Sequence, residues 1–191
     1  MKARLAILFT ALLFLLSACS VSSNCEKTLS DTLSSLDGAS YTAKITANFP
    51  SREAEFTINC TYSHEETRAS VITPSEVAGT SYTMSGDDAF LEFDGAILEI
   101  GKLDESGVSP FSAIHTLIRT WKAGAFSEVT NSVMHGKAAR LAISREEKGA
   151  ENIEYRTWFS KDTSLPLYSE IFSDGKRVIT CEFERAEHKT K

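Results

Sequence analysis

The stretch from Tyr41 to Tyr62 reads YTAKITANFPSREAEFTINCTY, and its periodicity decides the fold. Tyr41, Ala43, Ile45, Ala47 and Phe49 alternate with Thr42, Lys44, Thr46 and Asn48. After a turn at Pro50–Arg52, Ala54, Phe56, Ile58, Cys60 and Tyr62 alternate with Glu55, Thr57, Asn59 and Thr61. A period of two sends successive side chains to opposite faces of a strand. These residues therefore predict a long antiparallel hairpin with one buried and one wetted face.

The same style continues on both sides of a single interruption. Glu66–Thr73, Thr80–Ser85, Ala89–Phe93 and Ala96–Ile100 read as strands, with Asp94-Gly95 a type I′ hairpin signal between the last two. Further on, Ser127–Met134, Ala138–Ser144, Asn152–Phe159, Leu167–Phe172 and Arg177–Phe183 follow, with turns at His135-Gly136, Gly149-Ala150 and Asp174-Gly175. That makes eleven strands. No connection among them has the length of a parallel crossover, so the sheet is expected to be antiparallel.

Two segments carry the helical period instead. In Glu26–Leu36, Leu29, Leu33 and Leu36 share one face, Asn24 suits the N-cap and Gly38 the stop. In the interruption, Ser109-Pro110 fits an N-cap with proline at the first helical position. Phe111, Ile114, Leu117, Ile118 and Trp121 then form one wide apolar stripe over Pro110–Lys122, ending near Gly124. A stripe of that width must lie on an apolar surface, and the inner face of a curved sheet is the one on offer. The charged tail Glu184–Lys191 lacks periodicity and is expected to fray.

The N-terminus carries a routing signal. Lys2 and Arg4 precede the apolar run Leu5–Leu16. About twelve residues at 1.5 Å each span roughly 18 Å, short of the roughly 30 Å hydrocarbon core, so this is an export signal and not a spanning helix. Leu16-Ser17-Ala18-Cys19 follows, and it resembles the lipobox of bacterial lipoproteins. That resemblance implies cleavage after residue 18, lipid on Cys19, and a position anchored on the extracytoplasmic face of a membrane. Residues 1–18 are then the signal peptide, 19–24 a tether and 25–191 the domain. Ser20, not Asp, follows the anchor, which by the same resemblance favours the outer membrane in a host that has one. One acyl chain holds a protein marginally and two or three hold it stably.

Composition bounds the rest. The 191 residues suit one domain with a real core, and 42% hydrophobic content excludes a disordered polymer. A formal charge of -6, with no clustered basic surface, argues against nucleic acid and against attachment through anionic lipid headgroups.

Trp158, Asp162, Thr163, Leu165-Pro166-Leu167, Glu170-Ile171 and Asp174-Gly175, with a weaker echo at Pro74 and Val77-Ala78-Gly79, resemble the strand-turn-strand ending of the LolA-like family of outer-membrane lipoprotein-sorting proteins. The order of helix, hairpin, sheet run, capping helix and second sheet run agrees with it over about residues 25–183. The resemblance implies a mostly β, α+β fold: a half-open antiparallel barrel with an N-terminal and a capping helix, enclosing an apolar cavity used for lipids. It brings no catalytic residue.

Phe56, Ile58, Tyr62, Leu91, Phe93, Ile179 and Phe183 fall in the inward phase of their strands, and Phe111 and Trp121 on the helix stripe. These nine are the candidate lining for a lipid or other hydrophobic ligand, although the same residues also make an ordinary core. Cys60 and Cys181 also fall inward, where buried thiols are favoured over a bridge. His64, His115, His135 and His188 lack metal-ligand spacing, and no nucleophile elbow, P-loop or dinucleotide fingerprint occurs. No cofactor and no enzyme activity are expected. The expected function is that of an anchored lipoprotein binding a hydrophobic ligand. The alternative is an interaction or sensor module of an envelope or sporulation complex, with an exposed apolar patch or an unprotected strand edge and a protein partner that the sequence leaves open.

Overall fold

The computed structural model describes residues 19–49, 52–86, 88–102 and 109–190. Residues 1–18, read above as a signal peptide, and Pro50 and Ser51, read above as part of a turn, lie outside these. The chain order is α1 (Cys19–Ser34), β1 (Leu36–Phe49), β2 (Arg52–Ser63), β3 (Glu66–Thr73), β4 (Ser81–Ser85), β5 (Asp88–Phe93) and β6 (Ala96–Lys102). Then come α2 (Ala113–Ala123), β7 (Glu128–Met134), β8 (Lys137–Lys148), β9 (Glu151–Ser160), β10 (Pro166–Ser173) and β11 (Lys176–Thr190). All eleven strands belong to one sheet in the order β6-β5-β4-β3-β2-β1-β11-β10-β9-β8-β7. Two meanders are sewn together where the first long strand meets the last, with Tyr41 opposite Ala186 and Ile45 opposite Cys181. The sheet curves without closing: β6 and β7 are its two edges.

The hairpin read from Tyr41–Tyr62 has its expected register, Tyr41 against Cys60 and Ile45 against Phe56. Its alternation continues across strands as rows on the concave face. One such row runs Leu98, Leu91, Tyr82, Ala69, Cys60, Tyr41, Ala186. Ala43, Ile45, Ile58, Cys60, Ile171, Ile179 and Cys181 are buried there. The convex face carries surface ion pairs such as Lys44–Glu55 at 2.9 Å and Arg177–Glu170 at 2.8 Å.

Four expectations need correction. Helix α1 begins at Cys19, so the segment read as a tether is helical, and Asn24 lies inside the helix instead of capping it. It ends at Ser34, where the Ser34 hydroxyl donates to Asp31 O (3.1 Å) and that of Ser35 to Thr32 O (2.9 Å), so side chains satisfy terminal carbonyls without a glycine. Leu36 belongs to β1, and Gly38 pairs with Ser63 and Lys189 inside the sheet. Helix α2 begins at Ala113, three residues after Pro110. Ser109 instead holds the preceding turn, its carbonyl accepting from Ser112 N at 3.2 Å. The tail does not fray: β11 runs to Thr190, with Arg185 opposite Thr42 and His188 opposite Ala39.

Gly124 ends α2 with φ 63° in the left-handed region, its N–H donating to Trp121 O at 3.1 Å, and a side-chain carbon there would meet Ser30 Oγ of α1 at 2.4 Å. Its lack of a side chain lets the two helices approach as the chain leaves α2.

Because residues 185–189 complete the β1 ladder, hydrogen-exchange mass spectrometry should find their amides protected like those of residues 179–183. Exchange within seconds, as for a free tail, would contradict the pairing.

Candidate functional site

The concave face is the one place where the sheet gathers apolar side chains from every strand, and α2 lies across it. Its stripe packs as the sequence implies, with Ile114, Leu117, Ile118 and Trp121 buried. The Trp121 ring is 1% exposed. It stands 5.2 Å from Phe159, 6.0 Å from Phe183 and 6.2 Å from Tyr41 between centroids, and its Nε1 donates to Thr157 Oγ1 at 3.0 Å. Thr157 is itself bonded to Ser169 at 2.9 Å, so the buried hydroxyl on β9 has one partner on the covering helix and one on β10.

Two further contacts fix α2. His115 sits buried with Nδ1 2.7 Å from Thr67 Oγ1. At the C-terminal end, Lys122 Nζ donates to Tyr62 Oη (2.5 Å) and Glu65 Oε1 (2.6 Å) and lies 4.9 Å from the Tyr62 ring centroid. Burial works to lower the Lys122 pKa, but the Glu65 and Tyr62 bonds outweigh it and leave the ammonium above its ordinary value.

The nine candidate residues fall into two groups. Ile58, Tyr62, Trp121, Ile179 and Phe183 are buried in the packed trough beneath α2. Phe56, Phe111 and Leu91 are half-buried. Phe111 links the two regions, stacked on Tyr82 at 4.6 Å and edge-on to Phe56 at 5.0 Å. Phe93, expected to face inward, is 48% exposed. It shares a face with buried Ala89 and half-buried Leu91, but β5 runs outward so that its end stands in solvent. Strand phase names a face and does not say where the covering helix stops. Sequence reading missed Tyr82 and Leu98, which continue the Leu91 row; the alternation of β4 and β6 held that signal.

Cys60 and Cys181 are free and buried, and burial pushes both thiols up to about 12. They pair with Tyr41 and Ile45 on opposite sides of β1, a stagger of roughly 13 Å along the strand, beyond the roughly 7 Å a bridge allows. Among the described residues no group of three His, Cys, Asp or Glu side chains could hold a metal ion. A cleft of about 500 Å³, with charged and apolar walls, lies where β8, β9 and β10 meet, and the arginines on its wall, Arg145 and Arg156, both bond Glu154 at 2.6 Å.

No family model matches the chain, and no curated protein does. Among solved structures it is similar to an uncharacterized conserved protein from Thermus thermophilus, with 8% identity, 88% of each chain covered and a TM-score of 0.51. It is also similar to the lipoprotein LppX from Mycobacterium tuberculosis, with 12% identity, 87% of this chain and 95% of that one covered and a TM-score of 0.49. A LolA superfamily protein from Nitrosomonas europaea follows at 9% identity, 89% and 94% coverage and 0.45. Likeness at these identities is likeness of fold alone. The open eleven-stranded antiparallel sheet with an N-terminal and a capping helix is the half-open barrel architecture that the sequence resemblance implied.

At the rim, His188 Nε2 lies 2.7 Å from Tyr41 Oη, and burial lowers the imidazole to about 4 from 6.5. Above pH 6.5 the ring is neutral in folded and unfolded chains alike. Between pH 6.5 and about 4 the unfolded chain takes up a proton that the folded one refuses, so stability is lost as pH falls and levels off below. Urea unfolding at pH 7 and pH 4.5 should show a smaller pH-dependent loss in His188→Gln than in the parent; equal losses would remove His188 from the effect.

Proposed function

We propose that the chain is an extracytoplasmic lipoprotein, held to a membrane through lipid on Cys19, whose half-barrel takes up a lipid or other hydrophobic molecule. What carries the reading is the apolar row that passes beyond the capping helix: Tyr82, Leu91 and Phe111 are half-exposed and Leu98 is 61% exposed, on the same face as the core. The trough beneath Trp121 is occupied by side chains, so the ligand would lie at the β4–β6 end, its acyl surface covering this row at about 25 cal/mol per Å². Helix α1 starts at Cys19, which would place the domain directly on its anchor. Among the described residues no helix is long and apolar enough to cross a membrane, which suits attachment by lipid.

The chain from residue 19 onward, with Cys19→Ser, is expected to release lipid into an organic extract read by mass spectrometry, and to bind a fluorescent fatty acid about tenfold more weakly when Leu91 is changed to Asp. A lipid-free preparation that binds no fatty acid would overturn the ligand reading. Separately, the full chain should fractionate with membranes and its Cys19→Ser form should not; unchanged partition would overturn the anchor. A second reading, the interaction module, is favoured by one observation: an apolar sheet edge at β6 without a partner among the described residues.

A further inference from the structure

The two edges of the sheet are treated differently. Helix α1 packs on β7, whereas nothing among the described residues pairs with the outer side of β6. Proteins blunt exposed edges with proline, charged side chains, bulges or very short strands. Strand β6 contains no proline; Lys102 and a register shift mark its far end, and the stretch Ala96–Glu99 before them shows Ile97 (71% exposed) and Leu98 to solvent on opposite faces. Behind it, Phe93 stands on the Leu98 face and Phe90 on the Ile97 face, both exposed. The apolar surface thus wraps around the edge.

The two faces differ in charge. Leu98 pairs with Leu91 and Ala96 with Phe93, so the concave side is wholly apolar. On the convex side Ile97 pairs with Glu92 and Phe90 with Glu99, so apolar and acidic groups intermix. Between Ser85 and Gly101 the sequence holds acidic residues and no Lys or Arg, and the first base is Lys102, at the end of β6 opposite Asp88.

We infer that β6 is a docking edge for an extended segment of another protein, apolar on its concave-side positions and bearing Lys or Arg on its convex-side positions. This deepens the interaction reading above; it shares Leu98 with the proposed ligand row but is read on a separate signal. An added strand is the occupant that covers the edge and both faces together. Its backbone meets the outward N–H and C=O groups of β6, and its alternate side chains reach Leu98 on one side and Ile97 with Glu99 on the other. A bilayer would leave those backbone groups unsatisfied. A second copy paired antiparallel with Glu99 opposite Glu99 would set like charges against each other, which is destabilising, and pairing in the register that sets Glu99 against Lys102 is the outcome read below as concentration-dependent protection without peptide.

The test uses the full chain in a mild detergent and an alternating lysine–valine octapeptide, which presents valine on one face and lysine on the other, with hydrogen-exchange mass spectrometry as the readout. Exchange at Ala96–Lys102 should slow about tenfold with this peptide and not with a block peptide of the same composition. Glu99→Lys should weaken the lysine peptide about tenfold and shift preference to a glutamate–valine peptide, and Leu98→Lys should weaken both. The inference is overturned by unchanged exchange at β6, by protection at β7 or along Tyr82 and Phe111 instead, by equal binding of the block peptide, by phosphatidylcholine vesicles protecting β6 where the peptide does not, or by concentration-dependent protection without peptide. Fatty-acid binding is read on a different signal, so loss of one leaves the other standing.

Discussion

The contact between the Trp121 indole and the inner face of the sheet governs the rest of the structure. An eleven-stranded sheet that curves without closing has a long apolar concavity, and water would fill it unless something large took its place. Trp121 brings the largest side chain available to the middle of that concavity. It meets rings from three separate strands, Tyr41 on β1, Phe159 on β9 and Phe183 on β11, and its N–H satisfies Thr157. One residue thus ties the two meanders together at the seam where β1 meets β11.

That choice divides the trough. Beneath α2 the concavity is a packed core, and the Lys122 bonds to Tyr62 and Glu65 keep the helix end in place. At the other end the helix stops short, Phe111 is its last apolar contact, and the face of β4–β6 continues into solvent. Core and candidate binding surface are one continuous face, separated by the length of a helix of eleven residues. A ligand entering the open end would extend the core without displacing it.

Much of this was legible in the sequence. The period of two in Tyr41–Tyr62 gave the hairpin and its register, and the stripe from Phe111 to Trp121 gave the capping helix and the face it buries. The misreadings have physical causes. Leu36 sits where a helix face would place it after Leu29 and Leu33, but its burial comes from opening β1. The tail was masked by a register shift: Ala43 pairs with Phe183 and Thr42 with Arg185, so Glu184 is an extra residue. Inward positions then fall at Phe183 and Ala186, three apart, and the alternation of Ala186 and His188 with charged neighbours is too weakly apolar to stand out. Phe93 keeps its inward phase yet stands exposed, since exposure at a sheet's end depends on where a distant helix stops. The lipidation proposed at Cys19 rests on a motif resemblance, and folding leaves no mark of such a use.

Urea unfolding of Trp121→Ala against the parent tests the central claim most directly. If the indole is the fixed plug of the trough, its removal leaves a cavity and costs Thr157 one of its two side-chain partners, and the unfolding free energy should fall by about 3–5 kcal/mol. A loss below about 1 kcal/mol would mean that α2 rests on the sheet as a loose lid, and the division of the trough into a packed and an open end would not hold.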